Sequence, residues 1–388
     1  MVANMRLHVK LICFSWPLWV VTDGGIESTL QALALGKRLS GSNTISENLK
    51  LKTIVSSKKL QMFPSIIQKY IVDYSTSKNN DSKMPWYLSY SEDSKQTEDS
   101  YPDYIIASGQ HAVPACLYLS KAAKNCFSVY LGYPNIPFVN FSQVVLPKYE
   151  ANAKMAVLGP LARQKNGIIT PAPLLDVTTS VTSRSDAFFK KDTFSAVIVG
   201  GYSPDCKWYS EDAVSLADNV KRFEDKVVIV YTDRTPDLVK EKIQERIEGE
   251  KSIKIWDSTK EKKTLEKISK YEDIVTNSQR VILTADLDYA TAHAVSKNKP
   301  VYLTFGGNSR SYLLHFYRWI LDNNLARKLR MDRGKYRSSQ VQDEYSYLGH
   351  HASWGNANKV FQMENTMTFV TNEIQAIRDE AITGKRRQ

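Results

Sequence analysis

The chain has 388 residues, room for roughly two domains of ordinary size, and 42% of them are hydrophobic, enough for a sizeable core. Lysine and arginine number 52 against 41 acids, a net charge of +11. The basic residues are scattered in pairs such as Lys58-Lys59, Lys190-Lys191 and Lys262-Lys263, with a triplet Lys385-Arg386-Arg387, so the stripe or motif of specific nucleic-acid binding is missing. No run of about 18 apolar residues exists to form a transmembrane helix. The four cysteines, Cys13, Cys116, Cys126 and Cys206, lack zinc spacing and read as free thiols; no metal site and no cofactor is expected.

The first 22 residues hold Arg6 and Lys10 and no acid, the composition of a transit peptide. Leu18 to Thr22 already reads as a core strand, so little or no N-terminal processing is expected. Asp23-Gly24-Gly25 is a turn, and Ile26, Leu30, Leu33 and Leu35 predict a helix from Ile26 to Leu39. A strand from Leu51 to Val55 follows, then Phe63, Ile66, Ile67 and Tyr70 at helical spacing. Residues 75–100 are polar around Trp86-Tyr87-Leu88 and predict a surface insertion. Strands are expected at Tyr104 to Ala107, Phe127 to Leu131 and Gln143 to Leu146, with a helix from Ala112 to Ala123.

Asn166-Gly167, Pro171, Pro173 and a Ser/Thr run mark 166–192 as a linker between an N-terminal domain, 1–165, and a second domain, 193–330. The second domain repeats one pattern: an apolar strand, a turn of small or polar residues, then an amphipathic helix. Phe194 to Val199 runs into Gly200-Gly201, and Val227 to Tyr231 into Thr232-Asp233-Arg234-Thr235-Pro236. Val281 to Leu283 runs into Thr284-Ala285-Asp286, and Val301 to Phe305 into Gly306-Gly307. Ile253 to Trp256 is a further strand. Thr235 is expected to cap the helix that Pro236 opens. Residues 331–388 form an extension whose last helix, Asn365 to Ile382, aligns Met367, Val370, Ile374 and Ile377. Alternation of this kind predicts an α/β protein with parallel sheets, whose ligands bind at the carboxyl ends of the strands.

Two Rossmann-like domains, one linker and a late helix make the outline of a GT-B glycosyltransferase, with an interdomain cleft. The residues resemble a narrower group. Asp23-Gly24 followed by Gln31-Ala32-Leu33 resembles the opening motif of the mitochondrial fission family named for elongated mitochondria. Pro102-Asp103-Tyr104-Ile105-Ile106-Ala107-Ser108-Gly109 with Pro114 is similar to its second block. Pro134 with Phe141-Ser142-Gln143-Val144-Val145-Leu146-Pro147 is similar to its third. Thr232 to Pro236 resembles the arginine-bearing turn, and Thr284-Ala285-Asp286 with Lys299-Pro300-Val301-Tyr302 the final block. The resemblance implies a GT-B-like fold and a role in mitochondrial division or morphology, in plants through recruitment of a dynamin-related GTPase. The family's serines and glutamate after the final block are replaced here by Leu287, Tyr289 and His293, and Gln110-His111 and Asn135 also depart from its pattern.

The candidate sites follow from the turns. Asp23-Gly24-Gly25 either brings amides to an acceptor, with Asp23 as general base, or is a tight strand-to-helix turn. Gly24, Gly25 and Gly109 would lie on the acceptor side, with His111 as a second candidate base. Gly200, Gly201, Arg234, Thr284 and Asp286 would lie on the nucleotide side, Arg234 gripping a diphosphate or pairing with Asp233 or Asp237. His293 is expected to be structural, and His350-His351 are not at metal spacing. Leucine cannot donate to a phosphate and neutral histidine clamps a ribose poorly. The expected function is therefore a degenerate glycosyltransferase-like scaffold of mitochondria with at most weak nucleotide-sugar affinity. The alternative is an active transferase using a nucleotide-sugar donor.

Overall fold

The computed structural model describes residues 17–42, 45, 48–78, 84–91, 94, 101–123, 126–156, 165–176, 192–330 and 353–383. Seven strands form the first sheet: β1 (Leu18–Thr22), β2 (Leu49–Ser56), β3 (Leu88–Tyr90), β4 (Tyr104–Ser108), β5 (Phe127–Leu131), β6 (Gln143–Pro147) and β7 (Gly167–Thr170). Their order is β3-β2-β1-β4-β5-β6-β7. Six more, β8 (Phe194–Val199), β9 (Lys226–Tyr231), β10 (Ile253–Asp257), β11 (Arg280–Thr284), β12 (Val301–Thr304) and β13 (Arg327–Lys328), form the second in the order β10-β9-β8-β11-β12-β13. Neighbours run parallel, except that β3 pairs antiparallel with β2. β1, β4, β5 and β8 are buried along their whole length, as near-continuous apolar runs covered by helices on both faces must be.

In each sheet the strand order reverses beside the first strand, between β1 and β4 and between β8 and β11. Adjacent crossovers leave toward opposite faces there, which opens a crevice at the carboxyl ends. This places Asp23, Gly109, Gly200 and Asp286 near the two crevices. The helix Ile26–Ser40 joins the domains. Its Leu33, Leu35 and Leu39 pack on the first sheet, while Ile26 and Leu30 belong to the second domain's core. The last helix, Met363–Thr383, returns to the first domain and buries Met367, Val370 and Ile374 there. Arg38 meets Glu364 at 2.5 Å, and the Arg378 guanidinium lies 4.0 Å from the Tyr104 ring centre.

Several expectations need correction. Part of the stretch expected as a surface insertion is built into the domain: the helix Ser65–Lys78 runs into it, and β3 adds an edge strand. The anchor is Tyr87, fully buried, whose hydroxyl lies 2.5 Å from that of Ser75. β7 likewise lies inside the expected linker, so the connection begins after Thr170. Thr235 does not cap a helix. Its hydroxyl donates to the Val199 carbonyl at 2.6 Å and accepts the Thr232 N–H at 2.9 Å, while Pro236 precedes the helix Asp237–Ile247 without a side-chain cap. Cys116 and Cys206 are buried free thiols and Cys126 is half-buried; burial pushes the latter two up to about 12. Cys13, His350-His351, the Ser/Thr run after Asp176 and the basic C-terminal triplet lie outside the described residues.

Candidate functional site

A cavity of about 380 Å³ lies between the carboxyl ends of the two sheets. Asp23, Gly25, Gly109 and His111 line it from the first domain, with Tyr149, Glu150 and Lys154. Asp233, Arg234 and Asp288 line it from the second, with Tyr271 and Tyr312.

Asp23 holds its own turn. Its carboxylate accepts the Gly25 N–H at 3.0 Å and the Ser28 hydroxyl at 2.7 Å. Burial nevertheless raises its pKa, against the pull of those two hydrogen bonds. Gly109 closes over it with φ +90°, and a β-carbon there would sit 2.9 Å from the Asp23 carboxylate, so only glycine fits. Gly24 is not part of the cavity wall. Its carbonyl accepts from Lys267 Nζ at 2.9 Å, which fastens the turn to the second domain's helix Thr264–Asn277.

The residues expected on the nucleotide side form a network behind the wall. The Gly200 N–H donates to Thr284 Oγ1 at 2.8 Å, and the Gly201 N–H to Asp286 Oδ2 at 2.9 Å. Trp208 Nε1 donates to the other Asp286 oxygen at 3.1 Å. Asp286 is 1% exposed, and burial raises its pKa against the pull of Arg234. The adjacency of β8 and β11 brings these groups together, and it leaves Gly200, Gly201, Thr284 and Asp286 out of the cavity. Of the five, Arg234 alone reaches it.

Arg234 is already engaged there. Its Nη1 donates to the Asp286 carbonyl at 3.0 Å and to Glu27 Oε2 at 3.2 Å. The other Glu27 oxygen accepts the Ala290 N–H at 2.9 Å. Ala290 is the third residue of the helix Asp288–Ser296, whose first N–H groups have no partner within the helix. A helix start and an arginine make an anion site, and here it holds a carboxylate from the opposite domain. Burial pushes Glu27 up to about 7, with Arg234 opposing. Asp288 accepts the Tyr149 hydroxyl at 3.1 Å and is pushed up to about 6 by burial and by Glu150.

Glu27, Tyr149, Glu150 and Asp288 were not singled out from the sequence. The one available signal was an acid in the first turn of the helix after the Asp23-Gly24-Gly25 turn, and such acids are common. Three of the positions that depart from the family pattern, Leu287, Tyr289 and His293, are packed into the structure. Leu287 is fully buried, and the Tyr289 hydroxyl donates to the Leu174 carbonyl at 3.0 Å. His293 is 1% exposed, 3.6 Å from Glu272, and burial lowers its pKa. Among the described residues no cluster of His, Cys, Asp or Glu could hold a metal ion, and no helix is long and apolar enough to cross a membrane.

Two Rossmann-like domains facing each other across such a cleft define a GT-B-like protein. The UDP-GlcNAc 2-epimerase of Neisseria meningitidis, solved bound to UDP-GlcNAc, shares this fold with a TM-score of 0.50, 11% identity, and coverage of 92% of this chain and 99% of that one. A putative UDP-N-acetylglucosamine 2-epimerase of Listeria monocytogenes does so with a TM-score of 0.50, 11% identity and coverage of 96% and 99%. The model of the mitochondrial fission ELM1 family matches residues 27–347, and the chain belongs to that family. An uncharacterized protein of Rickettsia prowazekii (strain Madrid E) is 24% identical over 364 residues, covering 85% of this chain and 93% of that protein.

Proposed function

We propose that this chain is a catalytically degenerate, glycosyltransferase-like scaffold of mitochondria that acts in organelle division or morphology through protein contacts. A dynamin-related GTPase is the partner that the sequence resemblance implies. One observation carries the loss of catalysis: Glu27 fills the anion site formed by Arg234 and the Ala290 N–H. A diphosphate entering there must displace a carboxylate and then face Asp288, beside a Glu150 that is paired with Lys154 at 2.7 Å. Like charges in a partly buried space raise the cost of that exchange. Asp23 is also tied into its turn through Oδ1, which accepts both the Gly25 N–H and the Ser28 hydroxyl.

Calorimetry of the full chain with UDP and UDP-GlcNAc tests this reading. No saturable heat is expected for the wild type at micromolar concentrations. Micromolar binding with turnover abolished by Arg234→Ala would establish the alternative, an active nucleotide-sugar transferase. The cavity of about 380 Å³ at the carboxyl ends of both sheets is the feature that favours that alternative. For location, fractionation and protease protection should recover the chain with mitochondria, and recovery in the cytosol alone would refute the assignment.

A further inference from the structure

The helix Ser65–Lys78 leaves large apolar side chains exposed on the side that faces away from the core. Its inner side is in use: Val72 is fully buried and Ser75 meets the buried Tyr87. On the outer side Ile66, Ile67, Tyr70 and Tyr74 recur at helical spacing, and are 39%, 41%, 61% and 64% exposed. The preceding turn adds Met62 at 84% and Phe63 at 45%. Single exposed apolar residues are ordinary, but six in one patch are not. The helix is anchored by its other face.

We propose that this face docks onto an anionic lipid bilayer. Charge and residue type select that occupant. The segment carries exposed Lys58 and Lys59 beside the patch. Its one described acid, Asp73, is neutralised by Lys69 at 2.8 Å and by Lys121. Lys69 also lies 4.6 Å from the Tyr70 ring centre, an ammonium held at the edge of an apolar surface. Trp86, 67% exposed, packs edge-on against Tyr87, whose hydroxyl contacts this helix. Aliphatic residues with tyrosine, tryptophan and flanking lysines are the composition of an element lying in the headgroup region. None of these residues lines the cleft cavity, so this assignment stands whether or not the chain binds a nucleotide sugar.

Co-sedimentation of the full chain with vesicles tests it, comparing phosphatidylcholine alone with an equal mixture of phosphatidylcholine and phosphatidylserine. The wild type should sediment with the anionic vesicles and stay soluble with the neutral ones. The double substitution Ile66→Ser, Ile67→Ser should weaken binding at least about tenfold. Lys58→Glu with Lys59→Glu should weaken it by about fivefold or more per lysine, and added salt should do the same to the wild type. All four positions except Ile66 and Ile67 lie outside the helix, and all are exposed, so unchanged thermal unfolding is expected and would exclude misfolding as the cause. Brominated phosphatidylserine should quench the wild type more than Trp86→Phe. Equal binding to both vesicle types, no binding to either, or variants that bind like the wild type would overturn the proposal. A wild-type dimer in light scattering that the Ile66, Ile67 variant dissociates would assign the face to a second copy instead.

Discussion

Glu27 and Arg234 meet across the interdomain cleft at 3.2 Å, although 207 positions separate them in the chain. The contact is one of several that fasten the first domain to the second. Thr53 and Thr264 share a hydrogen bond of 2.8 Å, and the Ile26 N–H reaches Asp233 at 3.4 Å. The anion site of the cleft is thus satisfied by the protein itself.

Removing Arg234 should loosen this joint. Arg234→Ala leaves Glu27 with the Ala290 N–H alone and takes a donor from the Asp286 carbonyl. The arginine side chain is 35% exposed, so solvent moderates the loss, and a destabilisation of about 1–3 kcal/mol is expected in urea unfolding. No change would mean that the pair contributes nothing to holding the domains.

Glu27 should make stability depend on pH. Its folded pKa, about 7, lies above its ordinary value of 4.5, so the folded state favours the proton. That contribution is fully present below about 4.5 and is lost as pH rises through about 7. Asp288 acts in the same direction, with loss as pH rises through about 6. Glu27→Gln mimics the protonated form and should therefore become more stable relative to the wild type between pH 5 and 8, by on the order of 1–3 kcal/mol. Thermal unfolding across that range measures it, and parallel curves for the two proteins would contradict the assignment.

Gly201→Ala should be strongly unfavourable. A β-carbon there would lie 2.0 Å from the Arg234 carbonyl oxygen, a backbone atom that cannot swing aside. Overpacking of this kind costs about 1–3 kcal/mol or more. A melting temperature within a degree of the wild type would show that the turn after β8 is looser than its hydrogen bonds imply.

Asp286→Ala should leave the Gly201 N–H and Trp208 Nε1–H unpaired in a buried space, each costing about 1–3 kcal/mol. A shift in tryptophan emission that Trp208→Phe removes would locate the disturbance. If the residue served a ligand and not the fold, the variant would melt like the wild type.

Much of the architecture was legible in the sequence. β8, β9, β11 and β12 were marked by apolar runs ending in small or polar turns, and the last helix by its Met367, Val370, Ile374 stripe. β3 and β7 were not, because each is short and sits in a polar or proline-bearing stretch. Asp286 and Arg234 were both picked out as cleft residues, yet their surroundings differ. Arg234 reaches the cavity, while Asp286 is an acceptor hub behind it.

By itself, the sequence determined which residues face a core, because burial on both sides of a strand or one side of a helix writes a local period of two or 3.6 residues. It thereby determined two parallel sheets and the turns at their carboxyl ends. Only the tertiary structure decided what those turns do. Strand order brought Asp286 to Gly201, and domain docking brought Glu27 to Arg234 and Ala290. Neither contact leaves a periodic trace, since each joins single residues far apart in the chain and depends on the packing of whole elements.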